Sequence, residues 1–559
     1  MPVEFSARTR AQNIQNLKRE PLDVLVIGGG IVGAGLIRDL ALNGGLRAGL
    51  VEKGDFANGT SSATSQLIHG GFRYLIKRDF ALIKEARSER EILLRIAPNL
   101  VKSAPIAILN YRGDPYPLAG MSLAAHYYNH LSKTDKDERA CTIRDPAKIR
   151  DLVGPVERGS LKGCVVVWDS MVDDARLTLL TLKDAHRGGA VIANYVRFVK
   201  FIAQPGKANE AYTALLEDVL SGKQFEVVAR KIVSAAGPWT DRLWEKDPAY
   251  DGVPRLTTHR AKGIHLILPR LNRGDCGIAT FTRAEKHQNE KPRIIFTLNF
   301  DEALSAVGTT ESDPEADPDS VRPSAAEVDY LLSEVNRIFP AASVNRTSIV
   351  SAYAGVRPLI APKGEGFVSR EHLITESKSG VMYIYGGKLT THRKIAEEAV
   401  DCIAEELGCP RSCKTAAHPL GNGVEPEGDG GAKPISAADS ERITLRYGGD
   451  AAAIAKFIAG DRALAEPISE SSVFLKAEVL YAFWGEMAMT LDDLLWRRLR
   501  IGFGSGQGLD VAPKIARFLG ERGHWDDTRI ASEVEAYTQR IAQLNAEFKM
   551  DQGSDLRPR

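Results

Sequence analysis

The stretch DVLVIGGGIVGAG, Asp23 to Gly35, constrains the fold more than any other part of the chain. An apolar run, Val24 to Ile27, is short enough for a buried parallel strand. It leads into Gly28, Gly30 and Gly33 on the G-x-G-x-x-G spacing that opens a helix. The first glycine permits the tight turn, the second lets backbone amides approach a pyrophosphate, and the third lets the helix pack on its strand. A second apolar run, Ala48 to Val51, ends in Glu52, about twenty positions after the last glycine. A carboxylate there can accept hydrogen bonds from ribose hydroxyls and disfavours a phosphorylated ribose. The unit predicts a dinucleotide grip, with FAD and NAD undivided at this point.

At 559 residues, 43% hydrophobic and 26% charged, the chain exceeds one hydrophobic core, and two or three globular domains are expected. Lys and Arg number 73 against 72 Asp and Glu, so no global field recruits nucleic acid or anionic lipid, and any anion site must be local. No nucleic-acid partner is expected. The first twenty residues are polar and charged, which predicts an N-terminal tail rather than a secretory signal, and a cytoplasmic location. The six cysteines, Cys141, Cys164, Cys276, Cys402, Cys409 and Cys413, are too few and scattered for a disulfide framework. Cys409 and Cys413 lack C-x-x-C spacing, so no metal is expected. No run approaches the ~18 uncharged apolar residues of a membrane span. Pro115 to Ser132 is free of charge but is interrupted by Pro117, Gly120 and His126; its Tyr116, Met121, Leu123, Tyr127, Tyr128 and Leu131 either pack inside or lie on a membrane surface, packing being the preferred reading.

Asp79 to Ile96 reads as one amphipathic helix closed by Pro98. Strand-like runs follow at Cys164 to Trp168 and at Lys231 to Ala236, the second ending in a glycine turn at Gly237. Gly263 to Leu268, Arg293 to Leu298 and Ala306 to Gly308 read as antiparallel strands of a different sheet, and the acidic loop Glu311 to Ser320 as solvated surface. Val381 to Tyr385 is a late buried strand that stops at Gly386 and Gly387 and passes into a helix from Leu389. The predicted fold is α/β: a discontinuous Rossmann-like nucleotide domain with an inserted, mainly antiparallel substrate sheet, plus an all-α C-terminal cap. The expected boundaries are a tail (1–20), a body (21–405), a Gly/Pro-rich linker (406–434), a helical domain (435–545) and a polar tail (546–559). Within the body, residues 21–110, 160–260 and 350–405 are assigned to the nucleotide and 111–159 and 261–349 to the substrate.

The segment TSSATSQLIHGGFRYL, Thr60 to Leu75, resembles the flavin-dependent glycerol-3-phosphate dehydrogenases, quinone-linked enzymes of aerobic glycerol metabolism. Further matches come in that family's order: VDDARL from Val172, AAGPW from Ala235, KGIHLILP from Lys262, GTT from Gly308, AGVRPL from Ala354, GGKLTTHRKIAE from Gly386, and the helical segment Glu478 to Phe503. The chain departs from the family where lysine becomes Gln66, where GTTD becomes GTTE at Glu311, and at Asn299 and Phe300. The resemblance implies non-covalent FAD, sn-glycerol 3-phosphate as substrate, dihydroxyacetone phosphate as product, and electron transfer to a quinone at the cytosolic face of a membrane. It leaves a homodimer open. It implies that Thr60, Ser61, Ser62, His69, Gly70 and Gly71, then Ala236, Gly237 and Trp239, then Gly386, Gly387, Lys388, Leu389 and Thr390 join the N-terminal glycines and Glu52 around the cofactor.

Oxidising a secondary alcohol needs a hydride acceptor, a proton acceptor and groups that orient the substrate. Flavin N5 is the expected hydride acceptor. The resemblance nominates Arg73, Tyr74 and Lys388 for the phosphate, and Arg357 for the reacting C2 oxygen, where a fixed cation favours a developing alkoxide. His265 is the expected proton acceptor, its ordinary alternative being a buried histidine satisfied by backbone; His69 is the second candidate. A helix after Gly387 would aim its amides at reduced flavin. An oxidase using O2, an amine or amino-acid oxidase, and a catalytically silent flavin-binding module stay open.

Overall fold

The structure is a computed structural model and describes residues 5–72, 80–130, 138–203, 211–250, 258–283, 293–313, 317–360, 372–422 and 435–546. Two sheets dominate. In the first, strands Met382–Gly386, Lys223–Ser234, Leu22–Ile27, Ala48–Val51 and Val191–Ala193 run parallel in that spatial order. His372–Glu376 closes one edge antiparallel, and Tyr212–Asp218 and Val196–Ala203 extend Lys223–Ser234 as a meander. The parallel strands are apolar on both faces because both are covered, as such sheets require. Helices Ile31–Asn43, Asp174–Arg187 and His392–Leu407 bury one face; the meander and helix Ala7–Arg19 bury the other.

That N-terminal helix corrects the predicted tail. Ser6 caps it, Ile14 and Leu17 enter the core, and Asn13 donates to the Ile192 carbonyl at 2.8 Å. Two apolar anchors one turn apart in a polar stretch suffice for docking on a sheet, too weak a pattern to read alone.

The second sheet has the order Ser351–Ile360, Thr258–Pro269, Leu304–Gly308, Ile294–Asn299, Gly277–Phe281, Lys102–Tyr111, Leu161–Met171 and Leu67–Ile68, antiparallel except between Gly277–Phe281 and Lys102–Tyr111. Leu67–Ile68, Lys102–Tyr111 and Leu161–Met171 therefore lie outside the nucleotide sheet to which their sequence segments were assigned. A short buried apolar strand reads alike in either sheet. After residue 435 all described regular elements are helical except one isolated bridge, Pro467 with Leu475. The linker is shorter than expected: Arg411 pairs with buried Asp39, Thr415 is buried and Leu420 joins the core, while residues 423–434 lie outside the described residues. Among the described residues no helix is long and apolar enough to cross a membrane.

Candidate active site

The glycine turn is built as its spacing demands. Gly28 has φ +117°, and a Cβ there would lie 2.5 Å from the Ala235 carbonyl oxygen; one on Gly33 would collide with the Gly28 carbonyl. The helix that follows has Gly30 as its N-cap, with no side chain filling that role. Glu52 is half-buried at the end of the second strand. Its two oxygens accept from the amides of Gly29 (2.7 Å) and Gly54 (2.9 Å), while burial raises its pKa above the ordinary carboxylate value. The Ser61 hydroxyl accepts from the Ile31 amide at 2.9 Å, tying the Thr60–Ser62 turn to the helix start.

These elements bound a cleft of about 720 Å³, within the range of small-molecule and cofactor sites. Gly28, Gly30, Glu52, Thr60, Ser61, Ser62, Ala236, Gly237, Trp239, Gly386, Gly387, Lys388 and Leu389 line it. Gly33, His69, Gly70 and Thr390 do not. Gly33 acts through packing, and the Thr390 hydroxyl accepts from the His69 amide at 3.2 Å, joining the two loops behind the cleft. The Gly70 amide donates to Asp169 at 2.6 Å. The helix predicted from Leu389 begins at His392, after a turn over Lys388 to Thr391, because the Thr391 amide returns to the Lys388 carbonyl at 3.2 Å. The acidic loop is not merely solvated: Asp317 and Asp319 pair with Arg242, and Asp319 with Lys53, at the rim of the cleft. A narrow cradle that excludes Cβ atoms, helix amides at its floor and a half-buried acid at the strand end fit a dinucleotide.

The second sheet supplies the chemical side. Cross-strand register sets His265 opposite Tyr353, Gly263 opposite Gly355, and Ala261 opposite Arg357, all on one face because side chains alternate along a strand. The glycine pair lets neighbouring groups approach the sheet closely. A Cβ on Gly263 would lie 2.6 Å from Arg357 Nη2, and one on Gly355 would lie 2.8 Å from the Ala63 carbonyl oxygen. Arg357 Nη2 donates to Thr309 Oγ1 at 3.0 Å and to the Thr310 carbonyl at 3.3 Å. His265 stacks on Tyr353 with centroids 4.8 Å apart and planes 11° apart, and its Nε2 is 2.9 Å from Ser65 Oγ. Burial first, and the Arg357 charge second, lower its pKa to about 3. His265 and Arg357 stand behind the cleft wall formed by Tyr353 to Val356 rather than on its surface. Arg73 and Tyr74 lie outside the described residues, as does the chain on to residue 79.

Sequence reasoning missed six residues. Ser65 and Thr64 sit inside a segment singled out only as a motif. Asp174 accepts from the Thr64 amide (3.0 Å) and hydroxyl (2.7 Å), and burial raises its pKa to about 6. Tyr353 could have been found by stepping back from Arg357 by twos. Trp496 and Arg497 of the C-terminal helices also line the cleft, and nothing local in the sequence marks them.

A dinucleotide cradle on a parallel sheet, walled by an antiparallel sheet that carries a histidine and an arginine behind that wall, has the architecture of a nucleotide-dependent oxidoreductase. The family model described as FAD dependent oxidoreductase matches residues 23–398, and that of the C-terminal domain of alpha-glycerophosphate oxidase matches residues 391–530. The aerobic glycerol-3-phosphate dehydrogenase of Bacillus subtilis (strain 168) is 30% identical over 94% of this chain and 96% of its own. Glycerol-3-phosphate dehydrogenase 2 of Mycobacterium bovis is 31% identical over 95% and 90%. The X-ray structure of the glycerol-3-phosphate dehydrogenase from Bacillus halodurans complexed with FAD superposes with a TM-score of 0.75 at 26% identity, covering 98% of this chain and 99% of that one. The chain belongs to the FAD-dependent oxidoreductases, in their glycerol-3-phosphate dehydrogenase branch, and FAD is its cofactor.

Proposed function

We propose that the protein oxidises sn-glycerol 3-phosphate to dihydroxyacetone phosphate and passes the electrons to a membrane quinone. The observation that carries the reading is a shared location: Lys388 lines the cofactor cleft, and Arg357 and His265 stand on one sheet face behind its wall. A phosphate dianion calls for cations, and Lys388, with Arg73 and Tyr74, is assigned to it. Arg357, tethered through Thr309, is assigned to the C2 oxygen, where its fixed charge favours the developing alkoxide without reorganising. His265, neutral at physiological pH, is assigned the hydroxyl proton. Bound FAD supplies the two-electron acceptor for the hydrogen on C2.

Burial of His265, with Arg357 and Lys388 half-buried, limits water around them, which strengthens each charge interaction. Glycerol 3-phosphate added anaerobically should bleach the flavin of the purified protein, whereas glycerol or glycine should not; an unbleached spectrum would sink the reading.

Quinone lies in lipid, and helix Leu118–His130 supports a peripheral contact with it. Its Met121, Ala125 and Tyr128 face the core, while Leu123, 70% exposed, and Tyr127 face outward, Tyr127 against exposed Phe80. The segment reads as both of its sequence alternatives at once, one face packed and the other assigned to the bilayer interface. A second acceptor is favoured by one finding, the match of residues 391–530 to an oxidase domain. Stoichiometric hydrogen peroxide under air would establish O2 in place of quinone.

A further inference from the structure

His265 is enclosed on three sides, and the enclosure leaves one nitrogen unaccounted for. One face of the ring lies on Tyr353. Gly308, directly opposite in the neighbouring strand, meets the Cγ–Cδ2–Nε2 edge so closely that a Cβ there would collide with Cδ2 and lie 2.8 Å from Nε2. Ser65 Oγ completes that edge at 2.9 Å from Nε2. Nδ1, on the remaining edge, is buried and makes no hydrogen bond among the described residues.

Ser65 is itself held rigidly. Asp174 takes the Thr64 amide and hydroxyl, the Tyr353 hydroxyl donates to the Thr64 carbonyl at 3.0 Å, and the Gln66 amide donates to Thr64 Oγ1 at 2.9 Å. Gln66 then turns at φ +58°, a left-handed conformation rare for a residue with a side chain.

Two proton arrangements satisfy the Ser65 contact. If the serine hydroxyl donates to Nε2, the imidazole proton sits on Nδ1 as a buried donor with no acceptor, the rarer and costlier kind of orphan. If Nε2–H donates to Ser65 Oγ, Nδ1 keeps its lone pair, and the serine proton turns to solvent from its half-buried position. The second arrangement leaves no orphaned donor.

Resting on the function proposed above, we infer that Ser65 is a positioning residue that locks His265 as the Nε2–H tautomer, and that Nδ1 is the atom that takes the substrate's hydroxyl proton. In that step the C2–O–H bond breaks and an N–H bond forms at Nδ1. The hydrogen on C2 departs with its electron pair to the bound FAD, and the C2–O bond becomes a carbonyl. The resulting imidazolium is opposed by Arg357, which favours prompt loss of the proton once product has formed.

The test uses intact FAD-bound protein labelled with ¹⁵N at its eleven histidines, His265 being assigned by the signals lost in His265→Gln. The inference expects a pyrrole-type signal at Nε2 and a pyridine-type signal at Nδ1, unchanged through neutral pH. The reverse pattern would overturn it. In Ser65→Ala the two tautomers should mix, and anaerobic bleaching by glycerol 3-phosphate should slow on the order of 10- to 100-fold, the range for partners that fix a histidine's orientation. FAD content should hold, and Ser65→Thr should restore both tautomer and rate. A Ser65→Ala protein with native tautomer and native rate would remove the positioning role. If wild-type protein shows the expected tautomer but is not bleached by glycerol 3-phosphate, the substrate reading fails while the assignment of ring protons stands.

Discussion

As the proposed proton acceptor, His265 would enter the reaction neutral, because burial and the Arg357 charge hold its pKa near 3, so no prior deprotonation would be needed at working pH. Its replacement by Ala should slow anaerobic flavin reduction by roughly 10²- to 10⁴-fold, the usual cost of losing a general base, with FAD content and substrate affinity near normal. Reduction at the native rate would make the histidine structural. Lys388→Ala should act on the other term: losing a charge-assisted bond of about 1.5–3 kcal/mol should weaken glycerol 3-phosphate binding by roughly 10- to 100-fold. Discrimination against glycerol should fall with it, which titration of the flavin spectrum would read. Asp174 carries a pH signature. Its pKa rises from the ordinary carboxylate value to about 6 on folding, so its stability contribution is fully present below about pH 4 and is lost as pH rises through 6, at a cost of about 3 kcal/mol. The thermal midpoint of Asp174→Asn relative to wild type should therefore climb between mildly acidic and slightly alkaline buffer; a constant difference would show that Asp174 ionises freely. Lys388 and the glycines were legible because a motif carries them. Ser65, Tyr353 and Asp174 were not, because their meaning comes from register and from contacts across 110 and 200 positions of sequence.

Elements were legible where a period or a breaker marked them. The Leu22–Ile27 strand, the helix it feeds, the late return at Met382–Gly386 and the antiparallel strands around His265 all follow from apolar run length and glycine stops. What escaped was partnership: Leu161–Met171 is as apolar as a nucleotide-sheet strand, yet it pairs with Lys102–Tyr111 in the other sheet. Helix Leu118–His130 shows the same limit, since its uncharged sequence does not say which face is covered. Replacing outward Leu123 and Tyr127 together by Asp puts two charges where the bilayer interface is assigned, without touching the packed face. The double variant should float with liposomes far less than wild type and reduce quinone analogues in lipid more slowly. Anaerobic bleaching by glycerol 3-phosphate should be unchanged. Equal liposome binding by variant and wild type would move the membrane contact elsewhere.

At the scale of the whole molecule, the C-terminal helices act as a wall of the cofactor cleft rather than as an appended domain. Asp55, fully buried in the loop that follows Glu52, accepts from Arg497 Nε at 2.6 Å and from Arg498 at 2.7 and 2.8 Å; these partners lie 442 and 443 positions away. Such a pairing leaves no local trace, which is why the cap could be read as helical but not as docked. Around it, Arg176 of the body pairs with Glu486 of the cap, and Lys183 donates to Asp450 at 2.6 Å. Asn58, Gly59 and Thr60, on the far side of the Asp55 loop, line the cleft together with Trp496 and Arg497. The proposed cofactor cleft and the cap interface therefore share one loop. Asp55→Asn would leave buried Arg498 without its carboxylate partner, a loss on the order of 3–5 kcal/mol, while Arg497 keeps Asp492 and Asp493. The variant should purify with less FAD and a lower thermal midpoint. Because a ligand that binds only the folded state stabilises it by mass action, added FAD should recover much of that midpoint. A cap that folds and melts by itself predicts something different: full FAD content in Asp55→Asn, with the calorimetric trace split into two transitions, only one of them responsive to FAD. Calorimetry with and without FAD, alongside flavin absorbance per chain, separates the two outcomes, and the split trace would show that the interface is not coupled to the cofactor.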